Sequence, residues 1–333
     1  MSTTVEAVSE ATAGQLSGLG AWMRRNAWTI GLIGILVLLL IFTKFIQPSY
    51  GPAGVRGLAI GVLPLAFAAV AQTMAVLARG IDLSVGSMMA LTSVVAASLM
   101  DDRGEGLAVA VVIAVLLLGC LLGAINGTLI VVTRVPDIVV TLAMLFVWAG
   151  VALLVLKTPG GGSAEWLRDI ARGSIINPWI PKAALLLLVV VAVIWIPIKR
   201  SRLGLSLYAI GSDPLAAYRS GVSVTRTKIF SYMLVGLFSA LGGLALVATT
   251  GIATPVPGPY TLTSVAAVVL GGVSLAGGRG GVLGPMVAVV ILSLLRTDMT
   301  FLNINTNLAT VAQGVILVGV VMVGSVIEMR RDR

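Results

Sequence analysis

The chain has no histidine and one cysteine, Cys120, in 333 residues. A lone thiol closes no disulfide within the chain, and without imidazoles or a second thiolate no ligand set for zinc or a soft metal exists. No metal site is therefore expected. The same shortage removes the histidine base that a serine or cysteine nucleophile needs, and no paired carboxylates replace it, so no catalytic residues are expected either. Charge is also scarce, at 11% of residues. No Gly-x-x-x-x-Gly-Lys-Ser/Thr phosphate loop occurs; its nearest imitation spaces Gly272 and Gly277 correctly but continues Gly278-Arg279 where Lys-Ser/Thr is required. That stretch reads as a tight turn anchored by Arg279, and nucleotide hydrolysis is excluded from this chain.

What is abundant is apolar surface. Hydrophobic residues make up 58% of the chain and the mean hydropathy is +1.07, far outside the range of soluble domains. The pattern predicts an all-α polytopic membrane protein. Thirty-nine glycines fit this class, because small residues let transmembrane helices approach where water supplies no driving force. With roughly 20 apolar residues needed per span, ten spans are counted, near 28–46, 57–78, 86–100, 107–132, 138–156, 182–198, 229–249, 262–276, 281–296 and 307–326. Residues 1–27 read as a disordered cytoplasmic tail, 28–326 as the membrane domain, and 327–333 as a basic cytoplasmic C-terminus. Arg24-Arg25 precede the first span, but no A-x-A-like cleavage site follows it, so that span is expected to stay as an anchor.

The net charge of +9 does not argue for nucleic acid, since the basic residues sit in short connections between apolar runs. Cytoplasmic loops carry such an excess. With the N-terminus inside, 14 of the 22 basic residues fall on the inner side: Arg24, Arg25, Arg79, Arg134, Lys199, Arg200, Arg202, Arg219, Arg226, Lys228, Arg279, Arg330, Arg331 and Arg333. The eight on the outer side are accompanied by acids such as Asp101, Glu105, Glu165 and Asp169. An even number of spans puts both termini in the cytoplasm.

Two stretches interrupt this apolar pattern with chemistry. Arg79-Gly80-Ile81-Asp82-Leu83-Ser84-Val85-Gly86 places a carboxylate, a hydroxyl and two glycines between spans two and three. Helix-breaking backbone and charge at membrane depth are tolerated only in protein or beside water, so the octet is either a turn at the membrane surface or part of a permeation path. As a turn, Asp82 or Ser84 caps the next span; as a gate, Asp82 pairs with Arg79 or Arg279. The second stretch is the inner connection 199–228. Asp213-Pro214 reads as an N-cap with proline at the first helical position, and Gly221 as the stop, leaving a helix of about two turns. Such a helix lies on lipid headgroups or docks into a partner. Gly272-Val273-Ser274-Leu275-Ala276-Gly277-Gly278 echoes Gly80 to Gly86 in its spacing of glycine, polar residue and leucine, consistent with a parallel internal repeat.

Four stretches together resemble the permease subunits of ATP-binding-cassette importers for monosaccharides, the ribose, xylose, arabinose and galactose branch. They are Gly80 to Gly86; Asn126-Gly127 with Val135-Pro136 and Thr141-Leu142; Tyr208 to Gly211 with Ala216-Ala217 and Gly221-Val222; and Gly271 to Gly280. They follow the family's order from about 55 to 325. The chain departs from the pattern at Asp137-Ile138, where the family has a proline or aromatic followed by phenylalanine, at Asp213-Pro214-Leu215, and at Val273 and Ala276.

The resemblance implies one of two permease subunits, as a homodimer or heterodimer, in a bacterial inner membrane. Separate ATPase subunits carry ATP and Mg, and an extracytoplasmic binding protein delivers the sugar. Gly211, Asp213, Ala216, Ala217, Arg219 and Gly221 become a coupling helix and its flanks, facing the ATPase between spans six and seven. Gly80, Asp82, Ser84, Gly86, Gly272, Ser274, Gly278 and Arg279 become turn or gate elements. A sugar needs hydroxyl-matching or aromatic groups within spans, and the candidates are Gln72, Asn126, Trp148, Asn307 and Gln313; each also suits a helix–helix hydrogen bond. A secondary transporter for a small polar solute is the alternative, with Asp82 as its ion-coupling acid.

Overall fold

The structure, a computed structural model, describes residues 27–101 and 105–305 and scattered helical positions from Leu308 to Met322. Asn307, Gln313 and both chain termini lie outside the described residues, as does the tenth expected span as a continuous element. The helices are α1 (Ala27–Ile46), α2 (Pro52–Leu77), α3 (Val85–Met100), α4 (Glu105–Thr133), α5 (Asp137–Val155), α6 (Glu165–Ala171), α7 (Lys182–Arg200), α8 (Arg202–Ser212), α9 (Pro214–Arg219), α10 (Val224–Thr250), α11 (Tyr260–Leu270) and α12 (Leu283–Phe301). No strand occurs among the described residues beyond two isolated bridges, Gly160 with Ala253 and Ser174 with Pro181.

Among the described residues seven helices, α1, α2, α4, α5, α7, α10 and α12, are long and apolar enough to cross a bilayer. The expected spans 86–100 and 262–276 are not among them. α3 has 16 residues and α11 has 11, so at 1.5 Å per residue they reach about 24 and 17 Å, short of a hydrocarbon core of ~30 Å. Hydropathy cannot distinguish such helices from full spans, because the extended residues before or after them are apolar too. The connection 199–228 also differs from expectation, holding α8 as well as the short helix α9.

Contacts fix the ends of the bundle. At one, Gly278 N–H donates to Leu77 O at 3.2 Å and the Trp28 indole to Leu270 O at 2.9 Å. At the other, Gly162 N–H donates to Ala97 O at 3.1 Å and Gly160 N–H to Ala253 O at 3.0 Å. α2 runs from the Ala97 end to the Leu77 end; residues 78–84 then turn back inward, and α3 starts partway along. α10 runs the opposite way, residues 251–259 turn back inward, and α11 starts partway along in the reverse direction. The two starts meet, with Gly86 N–H donating to Thr261 Oγ1 at 2.9 Å.

The packing pairs follow this inversion. α2 packs on α12 as α10 packs on α4, α2 on α11 as α10 on α3, and α11 on α12 as α3 on α4. The repeat is therefore inverted, with α2–α4 answering α10–α12. The parallel repeat expected from Gly80–Gly86 and Gly272–Gly278 does not describe the geometry. Gly272, at φ 76°, closes α11 in the left-handed position that Arg79, at φ 59°, holds after α2, so the echo is one residue out of register as well. Both turns are Schellman motifs: Gly80 N–H returns to Ala75 O and Val273 N–H to Val268 O.

The α4–α10 seam explains several of the glycines. Gly119, Gly123 and Gly127 are four apart and share one face of α4. A side chain at Gly123 would strike the Tyr232 carbonyl, one at Gly119 the Gly236 carbonyl, and one at Gly236 the Gly119 carbonyl. Backbones pack directly here, the small-residue mode of helix association in lipid. α2 is enclosed almost throughout from Val62 to Leu77, whereas α1, α4, α5 and α7 expose large apolar side chains such as Phe45, Leu117, Leu154 and Val193.

Candidate functional site

Residues 78–86 form the most polar interior segment among the described residues, and named partners hold its backbone. Asp82 and Ser84 are fully buried. Asp82 Oδ1 accepts from Ser84 N–H at 2.7 Å and from the Ser84 hydroxyl at 2.6 Å. The Asn126 amide donates to Ser84 Oγ at 2.8 Å, with a longer approach of 3.4 Å to Asp82 Oδ2. The Trp148 indole donates to Asn126 Oδ1 at 3.2 Å. With its amide oriented to match the network, Gln72 donates to Asp82 O at 2.9 Å and accepts from Asp82 N–H at 3.2 Å. Thr141 Oγ1 accepts from Leu83 N–H at 3.1 Å and lies 3.2 Å from Ile81 O.

Three of the five candidate pathway residues, Gln72, Asn126 and Trp148, thus converge on one place. Their polar atoms meet the backbone and side chains of 82–84. Counting along the helices, Gln72 is five residues from the end of α2, Asn126 seven from the end of α4 and Trp148 eleven from the start of α5, which sets the cluster roughly 8 to 16 Å inside the Leu77 end. The octet therefore begins at the surface, where Arg79 is exposed, and finishes in the interior. Asp82 faces no cation among the described residues: Arg79 and Arg279 are both exposed, and the pairing with either is not formed in this structure.

A second group sits nearer the end, and sequence reasoning misses it. Lys228 Nζ lies 2.6 Å from Asp137 Oδ2 and donates to Ala78 O at 3.0 Å. The Tyr232 hydroxyl donates to the same carboxylate oxygen at 2.6 Å. Gly80 passes directly beneath: a Cβ there would strike the Asp137 carboxylate and the Tyr232 hydroxyl. The one signal available in the sequence is Asp137 itself, an acid opening an apolar span.

The remaining motif residues meet at the Leu77 end. A side chain at Gly211 would strike Leu77 O and Gly278 N, and one at Gly278 the Ser212 backbone. The loop 271–282 is turned by four left-handed glycines, Gly272, Gly277, Gly278 and Gly280, and closed by Ser274 N–H to Arg279 O at 3.2 Å. The Tyr208 hydroxyl on α8 donates to Gly280 O at 2.9 Å; burial raises its pKa above the ordinary tyrosine value, keeping it a donor.

Beside this junction stands α9. Asp213 caps it, accepting from Leu215 N–H at 2.8 Å and Ala216 N–H at 3.0 Å. Gly221 ends it at φ 83°, with Gly221 N–H returning to Tyr218 O and Val222 N–H to Ala217 O, both at 3.0 Å. Cap and stop fall where the sequence puts them. The two alanines part company: Ala217 is buried, while Leu215, Ala216, Tyr218 and Arg219 are exposed.

The family described as branched-chain amino acid transport system / permease component matches residues 54–322. The chain is 31% identical over 309 residues to the ribose import permease protein of Escherichia coli strain K12, covering 91% of this chain and 94% of that one. It is 32% identical over 290 residues to the ribose import permease protein of Bacillus subtilis strain 168, covering 85% and 88%. It is 28% identical over 325 residues to the autoinducer 2 import system permease protein of Escherichia coli O157:H7, covering 93% and 95%. No solved structure matches.

Proposed function

This chain belongs to the family of branched-chain amino acid transport system permease components, and from that membership we infer that it is the transmembrane subunit of an ATP-binding-cassette importer. The observation that carries the reading is α9, a helix closed at both ends by its own caps and presenting exposed Leu215 and Tyr218 next to the junction of three chain segments. A two-turn helix has no stability of its own in water, and a free apolar tip on a rigid base is a surface for a partner. That partner is the ATPase subunit, which supplies the ATP and Mg chemistry. A second permease subunit completes the pathway, and an extracytoplasmic binding protein delivers the solute. Relatives named for ribose import, aligned over nearly the whole chain, favour a monosaccharide as that solute. The alternative, a secondary transporter, needs Asp82 free to bind an ion, and Asp82 is engaged with Ser84 and Asn126.

Orientation follows from charge. The Leu77 end, with Arg200, Arg202, Arg219, Arg226, Lys228 and Arg279, is the cytoplasmic one. Counting the crossings made by α3 and α11 with their extended lead-ins, and a last span over 307–326, the chain crosses the inner membrane ten times with both termini inside. Single cysteines at Glu165 and Ser212 in a Cys120→Ala background should label from outside and inside respectively; labelling from one side overturns the topology. For function, Ala216→Arg changes an exposed residue on the face of α9 turned away from the bundle. It should leave insertion intact, abolish co-purification of the ATPase and stop sugar uptake. Parental uptake by that variant rules α9 out as the coupling element.

A further inference from the structure

α9 can act on the interior only through its connection to α10. Four residues, 220–223, make that connection, and they are stiff: Val222 N–H is tied back to Ala217 O and Ser223 caps α10, its carbonyl accepting from the Thr227 hydroxyl at 2.8 Å. One turn into α10 stands Lys228. Its ammonium has three protons, and three acceptors surround it: Asp137 Oδ2 at 2.6 Å, Ala78 O at 3.0 Å and Arg79 O at 3.4 Å. The two carbonyls close the C-terminus of α2, where a cation is favoured by the helix dipole, and the carboxylate opens α5 at its N-terminus, where an anion is favoured. One turn further, Tyr232 shares the same carboxylate, and Ser231 donates to Met74 O at 2.7 Å.

We propose that Lys228 and Asp137 form a latch through which α9 controls the inward segment 78–84. This rests on the functional reading above. The latch crosses a boundary in the packing. α10 packs on α4, α2 and α3, whereas α5 packs chiefly on α3 and shares no packing seam of its own with α10, so movement of α5 relative to α10 separates Lys228 from Asp137. Close-packed backbone does not slide in small increments, but an ion pair whose side chains are 14% and 16% exposed can be rehydrated and remade. Gly80 lies against the Asp137 carboxylate and the Tyr232 hydroxyl without room for a side chain, so the carboxylate of the latch sits directly on the segment. The deeper bonds of the segment, to Asn126 and Thr141, come from α4 and α5. Lys228 and Asp137 are positioning residues: they hold the segment and touch no solute.

The test compares the parent, Lys228→Met, Asp137→Ala, the double variant and Lys228→Arg, each purified with its ATPase, reconstituted in proteoliposomes and supplied with the binding protein. ATP hydrolysis and uptake of labelled ribose are read together, with melting temperature as the control for folding. In the latch, the ATP hydrolysed per sugar rises on the order of tenfold in both single variants, within the usual range of coupling between sites. The double variant is no worse than either, because the pair acts as one unit, and Lys228→Arg keeps the parental ratio. Lowered melting temperature with an unchanged ratio, or additive losses in the double variant, overturns the latch. If the parent brings down no ATPase and takes up no sugar, the functional reading falls and the latch with it.

Discussion

α3 and α11 are inverted counterparts, both starting partway through the protein, yet the segments leading into them satisfy their backbone in opposite ways. Residues 78–84 keep their N–H groups and meet them with acceptors: the last carbonyls of α2 for Ala78, Arg79 and Gly80, Gln72 of α2 for Asp82, Thr141 of α5 for Leu83 and the Asp82 carboxylate for Ser84. Residues 254–259 carry Pro255, Pro257 and Pro259, which have no N–H to satisfy, and α11 has no side-chain cap. The first lead-in is sealed, with Gly80, Asp82 and Ser84 buried; the second is open at Thr254, Val256 and Pro259. At membrane depth unpaired backbone costs several kcal/mol per group, and the chain meets that constraint once by adding acceptors and once by deleting donors. The first solution builds a rigid point that other helices can hold. The second needs few neighbours and leaves its side of the helix pair accessible.

The sharpest way to break this contrast is to remove the acceptor at the sealed lead-in. Asp82→Ala strips the acceptor from the buried N–H and hydroxyl of Ser84, and a group left unsatisfied costs about 1–3 kcal/mol. The predicted loss is about 3 kcal/mol, with little uptake. Asparagine keeps an oxygen for Ser84 N–H, so Asp82→Asn should melt and transport close to the parent. Equal loss in both variants means that the charge, not the hydrogen bonding, matters, and the comparison of sealed and open lead-ins then misplaces the role of Asp82.

The same contrast separates what the sequence discloses from what it hides. Composition and apolar runs identify the all-helical membrane class, and Asp213, Pro214 and Gly221 locate α9 because capping is local chemistry. The glycine-rich segments are visible as motifs, but their meeting at Leu77, Gly211 and Gly278 depends on backbone approach that no spacing reveals. α3 and α11 pass for full spans because extended Ile81, Leu83 or Val273 is as apolar as helix. Asn126 and Trp148 stand out as polar or aromatic groups within spans, yet their junction with Asp82 joins separate parts of the chain. Lys228 reads as one more loop charge, since only the fold brings it to Asp137, 91 residues earlier in the chain.

A smaller perturbation tests whether the two helix starts depend on each other. Gly86 N–H opens α3 and has no carbonyl one turn earlier in helical geometry, because residue 82 lies in the lead-in. Its acceptor is Thr261 Oγ1, supplied by α11, while among the described residues no hydrogen-bonding side chain of α3 reaches the start of α11 in return. The dependence is one-sided: α3 relies on α11. Thr261→Val keeps the shape and deletes the acceptor, so it should cost about 1 kcal/mol, the lower part of the range for an unsatisfied buried donor, with the N–H of Gly86 recovering some hydration through the open side of α11. Thr261→Ser should restore the parental value. Hydrogen exchange at Gly86 reads the bond directly: it should quicken in the valine variant and not in the serine variant, while exchange at the first turn of α11 stays unchanged in both. Quickened exchange at α11 as well means that the dependence is mutual, and the open lead-in then needs its partner as much as the sealed one does.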